Sequence, residues 1–366
     1  MKDTEILDLY PISYAQARAR FLAAAHAAGA ALYTQVLPDR VGPANEELAL
    51  DAAYVGAADA SRVLVMLAGT HGSEAYAASP LMAAFLQGQK QVDPAGDVGV
   101  LLVHAVNPYG FAHMLRTNEN NVDLNRNFID FSGPVPGNPG YRAIHPLICS
   151  GDHTEHGKAA ARTALEDWTE KNGKAAFFNA IFAGQYEVPE GLIYGGQERQ
   201  WSNHALQNVV DRFLGHARRI GFIDWHTGLG DYGQSFFLCF NEPGSPEWEH
   251  CCAWWGREAI ENKGGFSGAP RPRYSGLVFQ GMREFCAKAE FSGAVIEFGT
   301  TPPEATIAGL QLDNRLRFDT MLDREQRAVL HEQAMASFCP RDPRWRLDVM
   351  REGLRIARQA LDGLRA

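Results

Sequence analysis

His71 and Glu74 stand three residues apart in A-G-T-H-G-S-E, an imidazole and a carboxylate on a turn kept slim by Gly69 and Gly72. Groups of these two types on such a turn can converge on one divalent ion. Two more reactive groups follow further along, His226 in D-W-H-T-G-L-G and Glu297 in I-E-F-G-T. A His, Glu and His set is a complete protein shell for a catalytic zinc, with the fourth position left to water. Glu297 is then free to act as base on that water. Each group taken singly has a plainer reading: a carboxylate at a positive helix start, a capping or core histidine, a paired buried acid.

The segment V-D-L-N-R-N-F supplies the context that single residues lack. Asp123 can accept from the far ring nitrogen of a metal-bound histidine and so set its tautomer. Asn125 and Arg126 can hold a substrate carboxylate, the guanidinium offering a fork of donors. Arg116, a few residues earlier, can polarise a carbonyl and stabilise its oxyanion. The plain alternative is a solvated loop carrying an Asp–Arg surface pair.

These groups must be brought together by the elements that carry them. Residues 63–68 are an unbroken apolar run, which predicts a strand buried on both faces, and the Ala-rich sequence from Glu74 predicts a helix. Similar runs at 219–226 and 293–297 end in His226 and Glu297. If these three strands are parallel neighbours, their carboxyl ends converge where ligands of open α/β sheets bind. Around them the pattern predicts an opening helix over 13–30, an edge hairpin from 32–37 and 48–55, and a polar turn over 88–96. A buried strand with His104 as a core histidine comes next. Residues 107–140 lack periodicity and are rich in polar groups, which in a compact domain points to function. A mainly helical segment follows over 144–194, then a helix over 201–217 and a strand over 234–240. A further helix is expected over 246–262, a Gly/Pro loop over 264–274 and a helical tail over 323–366.

Composition narrows the field. The chain has 366 residues, 46% of them hydrophobic, and a net charge of -9, which argues against a phosphate-backbone binder. Small molecules and peptides are the expected partners. The N-terminus carries acids where a signal peptide needs a basic start, and no apolar run approaches the roughly 20 residues of a membrane span. A cytoplasmic protein with no membrane contact is therefore expected, its six cysteines reduced.

H-G-S-E, V-D-L-N-R-N-F, D-W-H-T-G-L-G and I-E-F-G-T, in that order, resemble the motifs of the zinc carboxypeptidase superfamily. Within it the chain is most similar to the branch known as domain of unknown function 2817, through N-P-Y-G-F-A and H-T-G-L-G. The resemblance implies a single α/β domain over 1–366, with a mixed, mostly parallel sheet of about eight strands sandwiched by helices. A helical insertion at 141–200 and a helical C-terminal extension at 323–366 complete that picture. It implies one zinc ion per chain held by His71, Glu74 and His226, with Asp123 behind His71 and Arg116 as carbonyl polariser. Asn125 and Arg126 would anchor the carboxylate, and Glu297 would serve as base and acid. A mobile tyrosine belongs between the third ligand and that glutamate, where Tyr232 and Tyr274 both lie; Tyr274 is the favoured one. The nine residues from Arg116 to Asn125 are nearer the spacing of aspartoacylase-like deacylases than that of the digestive carboxypeptidases.

The resulting expectation is a zinc-dependent amide hydrolase acting on a small molecule or peptide with a free carboxylate, with homo-oligomerisation left open. An N-acyl amino acid deacylase and a non-catalytic metal- or ligand-binding protein are the alternatives. G-L-G-D-Y-G at 228–233 is followed by strand-like sequence and so fails as a dinucleotide loop. His153 and His156 read as a polar loop, and Cys251 and Cys252 lack the histidine geometry of a thiol nucleophile.

Overall fold

Residues 63–68 carry no polar side chain, so a strand made from them needs cover on both faces, and it lies in the middle of the sheet. The computed structural model describes residues 1–88, 96–261, 271–300 and 302–366. The turn expected over 88–96 and the Gly/Pro loop expected over 264–274 fall largely outside them. The strands are β1 (Ala31–Val41), β2 (Glu47–Val55), β3 (Arg62–Ala68), β4 (Val98–His104), β5 (Arg219–Tyr232), β6 (Ser235–Cys239) and β7 (Glu290–Gly299). They form one sheet in the order β1-β2-β4-β3-β5-β7-β6. The four central strands β4, β3, β5 and β7 are parallel, and β1, β2 and β6 add antiparallel edges. The sheet thus has seven strands among the described residues, one fewer than the eight implied by the resemblance.

Strand alternation divides the core into two layers. Leu64, Met66 and Ala68 join the side packed by helices Tyr14–Ala27, Ala75–Gln87 and Pro343–Arg365. Val63, Val65 and Leu67 face helices Lys174–Phe182, Trp201–Phe213 and Val278–Phe285. His104 ends β4 inside the first layer, its ring stacked on Phe21 at 4.7 Å and its Nε2 2.9 Å from Ser79 Oγ. It is a core histidine. Among the described residues no helix is long and apolar enough to cross a membrane.

Sheet order fixes where a site can form. The chain passes from β3 to β4 on one side, and β5 then adds on the other side of β3. The connections therefore diverge at the carboxyl ends of β3 and β5, which opens a crevice there. Ala68 at the end of β3 is level with Trp225, and His226 is level with Glu297 on β7.

Three local expectations differ from the structure. β5 does not stop at His226 but runs on to Tyr232, because β7 continues beside it and pairs Thr227 with Phe298 and Gly228 with Gly299. The helix expected over 246–262 is broken into Pro246–Trp255 and Arg257–Glu261 by Gly256, whose φ of 93° leaves the helical region. The aperiodic stretch 107–140 contains a short helix, Pro108–His113, and a single 3-10 turn, Leu124–Arg126. Its polar groups find partners through loops and side chains.

Candidate metal centre

The turn after β3 is shaped by its glycines. Gly69 has φ 76°, and a Cβ on Gly72 would collide with the backbone of Gly110 and Phe111. That close approach lets Gly72 and Ser73 donate their N–H groups to the carbonyls of Arg116 and Leu115, each at 3.1 Å. The loop carrying Arg116 is so tied to the loop carrying His71 and Glu74. Asp123 caps the 3-10 turn by accepting from Asn125 N at 2.9 Å. The capping oxygen also faces His71.

The ligand candidates converge. Nδ1 of His71 lies 2.8 Å from Glu74 Oε1, Nδ1 of His226 lies 3.0 Å from Glu74 Oε2, and the two Nδ1 atoms are 3.1 Å apart. All three residues are buried. The far ring nitrogens are held as well: Nε2 of His71 is 3.0 Å from Asp123 Oδ1, and Nε2 of His226 is 2.9 Å from Asp224 Oδ2. Carboxylates, which only accept, face both nitrogens of each ring, Asp123 or Asp224 at Nε2 and Glu74 at Nδ1, so the Nδ1 side calls for a positive charge that a proton or a metal ion can supply. Two imidazole nitrogens and a carboxylate converging on one point are a donor set that fits a divalent metal such as zinc. It is the one such cluster found among the described residues.

Charge balance points the same way. Among the described residues, Glu74, Asp123, Asp224 and Glu297 face Arg116 and Arg126 around the cluster, and all six are buried or nearly so. Burial opposes the ionisation of Glu74, yet His71 and His226 outweigh it and hold its pKa below the ordinary carboxylate value. Burial likewise opposes Asp123, where His71 and Arg116 win. His226 is held well above its ordinary value, Asp224 and Glu74 overcoming the effect of burial. A demand for positive charge is written into all three.

Glu297 is different. Burial pushes its pKa up to about 7, Glu74 adds to the rise, and His226 and His71 oppose it. A backbone donor, Leu229 N–H, lies 3.4 Å from its Oε2. A carboxyl that titrates near neutrality beside a ligand cluster is suited to take up a proton and to return it.

The remaining expected residues line a cavity of about 60 Å³ over the cluster, which includes Arg116, Asn125, Arg126, Tyr274 and Glu297. Arg116 is already engaged: its Nη1 is 2.9 Å from Glu74 Oε1 and its Nε is 3.1 Å from Asp123 Oδ2. Asn125 Oδ1 accepts from Val278 N at 2.9 Å. Arg126 is buried and donates to the carbonyls of Asn125 at 2.6 Å and Phe182 at 2.7 Å, while its Nε has no partner. None of the ion pairs among the described residues includes it. The Arg126 guanidinium carbon sits 4.9 Å from the Tyr274 ring centroid, and burial raises the Tyr274 pKa. Tyr232 is 52% exposed and bonds Asp342, away from the cavity.

Asp224 escaped sequence reading, although the signal was present. In D-W-H Asp224 and His226 stand two positions apart, and on a strand that spacing puts both on one face. Thr70 Oγ1 lies 2.9 and 3.0 Å from the two Asp224 oxygens and steadies the carboxylate. His153 sits elsewhere, 3.6 Å from Asp319 in a helical cleft. Cys251 is buried among core groups, and its hydrogen bond to Cys239, together with burial, pushes its thiol far up, away from thiolate chemistry.

Fold and site define a class: an α/β protein with a buried His-Glu-His cluster, of metal-ligating type, at the carboxyl edge of its parallel strands. More particularly, the chain belongs to the family described as Protein of unknown function (DUF2817), whose model matches residues 10–352. No curated protein matches it. Among solved structures it is similar to carboxypeptidase A from Helicoverpa armigera, at 13% identity over 88% of this chain and 73% of that one, with a TM-score of 0.46. A metallo-carboxypeptidase from Pseudomonas aeruginosa, in complex with (2-guanidinoethylmercapto)succinic acid, matches at 15% identity over 92% and 68%, TM-score 0.39. Bovine thrombin-activatable fibrinolysis inhibitor, in complex with tick carboxypeptidase inhibitor, matches at 13% identity over 89% and 96%, TM-score 0.41.

Proposed function

We propose that the protein is a zinc-dependent hydrolase of an amide bond in a small substrate bearing a free carboxylate, a carboxypeptidase-like reaction. The observation that carries the reading is the convergence of the two Nδ1 atoms on the Glu74 carboxylate, with the buried Glu297 carboxyl in the same cavity. His71, Glu74 and His226 would hold the ion, and Asp123 and Asp224 would fix the two imidazoles. When bound there, zinc supplies Lewis acidity to a water and to the reacting carbonyl.

The chain's own groups account for the rest. Arg126 is a buried guanidinium with no carboxylate partner among the described ion pairs and a partnerless Nε, an arrangement that costs free energy unless an anion arrives. A substrate carboxylate is that anion, with Asn125 beside it. Glu297 takes a proton from the attacking water and returns it to the leaving amine, both within reach of a pKa of about 7. Arg116, on the cavity wall beside Glu74, would be the donor for the developing oxyanion.

The test is metal content of the purified protein, combined with hydrolysis of blocked dipeptides and N-acyl amino acids before and after chelation. One zinc per chain and hydrolysis lost on chelation and restored by zinc are expected, and the panel separates peptidase from deacylase. Protein that binds no metal and gains no activity from added zinc would end this reading.

A further inference from the structure

The cavity over the cluster says which side chain its substrate carries. Its charged lining residues are His71, Glu74, Arg116, Arg126 and Glu297, and each of these already has a role or a partner in the site. Beyond them the described wall is mainly apolar, formed chiefly by Phe182, Leu238, Phe240, Leu277, Val295 and Leu310, with Asn125 and Tyr274 on the Arg126 side and the hydroxyls of Thr227 and Thr306 between. The Thr227 hydroxyl is spent on Phe338 O, at 2.6 Å.

Strand geometry explains this floor. Val295 precedes Glu297 by two residues on β7, so it points to the same face one pleat further from the strand end. Leu238 on β6 is its cross-strand partner. The pair Leu238–Val295 therefore forms an apolar floor next to the Glu297 carboxyl, and both belong to the core layer that holds Phe182 and Leu277.

Size sets the second limit. A water occupies about 10–15 Å³ on this measure, so about 60 Å³ holds roughly four to six water-sized positions. That matches the three heavy atoms of a carboxylate together with a side chain of alanine (one more) to valine (three more). Among the described lining residues, a lysine or arginine side chain would meet no acid outside the metal-ligand and base positions. A second carboxylate would be stripped of water with no further cation to pair with among the described lining residues.

Resting on the amide-hydrolase reading above, we infer that the residue next to the scissile bond, the one whose carboxylate Arg126 holds, carries a small apolar side chain of alanine to valine size. Leu238 and Val295 set that limit.

The experiment uses zinc-supplemented protein and blocked dipeptides that differ only in the C-terminal residue: Ala, Val, Leu, Phe, Lys and Asp. Binding of the six free amino acids is measured in parallel by calorimetry, a readout that needs no turnover. Alanine and valine substrates are expected to exceed the other four at least tenfold in kcat/KM, with free alanine and valine the tighter ligands. Val295→Ala and Leu238→Ala are expected to raise the Leu-to-Ala ratio at least fivefold in whichever variant folds, as judged by circular dichroism. Cleavage that favours Phe, Lys or Asp, or ratios unmoved in folded variants, overturns the inference and leaves the hydrolase reading standing. If nothing is cleaved, the hydrolase reading fails, and calorimetry decides the pocket alone: phenylalanine or lysine binding as tightly as alanine overturns it, as does no binding at all.

Discussion

Two hollows in this molecule differ in size and in chemistry. The cavity at the ends of β3, β5 and β7 measures about 60 Å³, whereas the cleft between helices Pro139–Ile148, Glu155–Asn172 and Lys174–Phe182 and helices Pro303–Phe318 and Arg324–Phe338 measures about 1150 Å³. The large cleft has an apolar floor with Phe178, Ile307 and Leu330, and charges at its rim. Two of those charges are paired near the surface, Arg315 with Asp319 at 3.1 Å and Lys158 with the neighbouring Glu155 at 2.9 Å, where water screens them. The small cavity has the opposite character. Its acids and imidazoles are buried, so each contact fixes a tautomer or moves a pKa. Volume marks where something can fit; buried, converging charge marks where a bond can be made.

The contrast can be broken by substitution, and the largest effect is expected at Glu297. Glu297→Gln keeps the shape and removes the base, so turnover should fall about 10³-fold while metal content stays at the wild-type level. Retained activity, measured alongside metal analysis, would remove Glu297 from the chemistry.

Buried and exposed histidines offer the second comparison. Burial lowers the His104 pKa to about 4, against an ordinary value of 6.5. Below pH 6.5 the unfolded chain takes up a proton that the folded chain refuses, so stability falls as pH drops from about 6.5 to about 4. The full loss is about 3 kcal/mol, because each tenfold difference in proton affinity between the two states is worth about 1.36 kcal/mol. In His104→Phe, urea unfolding at pH 7 and pH 4.5 should show a smaller difference between the two pH values than in the wild type. His153→Gln, in the open cleft, should reduce that difference by less, because the half-buried His153 ring is lowered in the same direction but lies closer to water.

Asp224 sharpens the contrast from another side. Asp224→Asn keeps the size and loses the charge behind His226, and is expected to weaken zinc about 10- to 100-fold in competition with a chelator. Unchanged affinity would make the Thr70–Asp224–His226 chain a packing feature only. Smallest of all, Arg162→Ala and Phe318→Ser at the cleft are expected within about 0.5 kcal/mol of wild-type stability, with rates on the amide panel within about twofold. A large loss of rate there would show that the cleft takes part in the reaction.

Much of the site was legible before the fold. The apolar run 63–68, the glycines around His71, the strand ends at His226 and Glu297 and the dense V-D-L-N-R-N-F segment are local patterns, and local patterns follow from side-chain period and backbone sterics. Arg116 was legible as a residue near the site, but its grip on Glu74 and Asp123 depends on the backbone bonds that tie two loops together. The break at Gly256 was missed because an apolar helical pattern runs on across it.

By itself the sequence determined which residues could do chemistry and which strands would be buried, since both depend on residue type and spacing over a few positions. Only the tertiary structure decided the rest. It set β5 between β3 and β7, so that groups more than two hundred residues apart in sequence meet in one cavity. It brought Asp224 and Asp123 behind the two imidazoles, left Arg126 without an acid among the described ion pairs, and put Tyr274 rather than Tyr232 against the cavity. Proton position, pKa and pocket size depend on what lies within a few ångströms in space, and spacing along the chain carries no such distance.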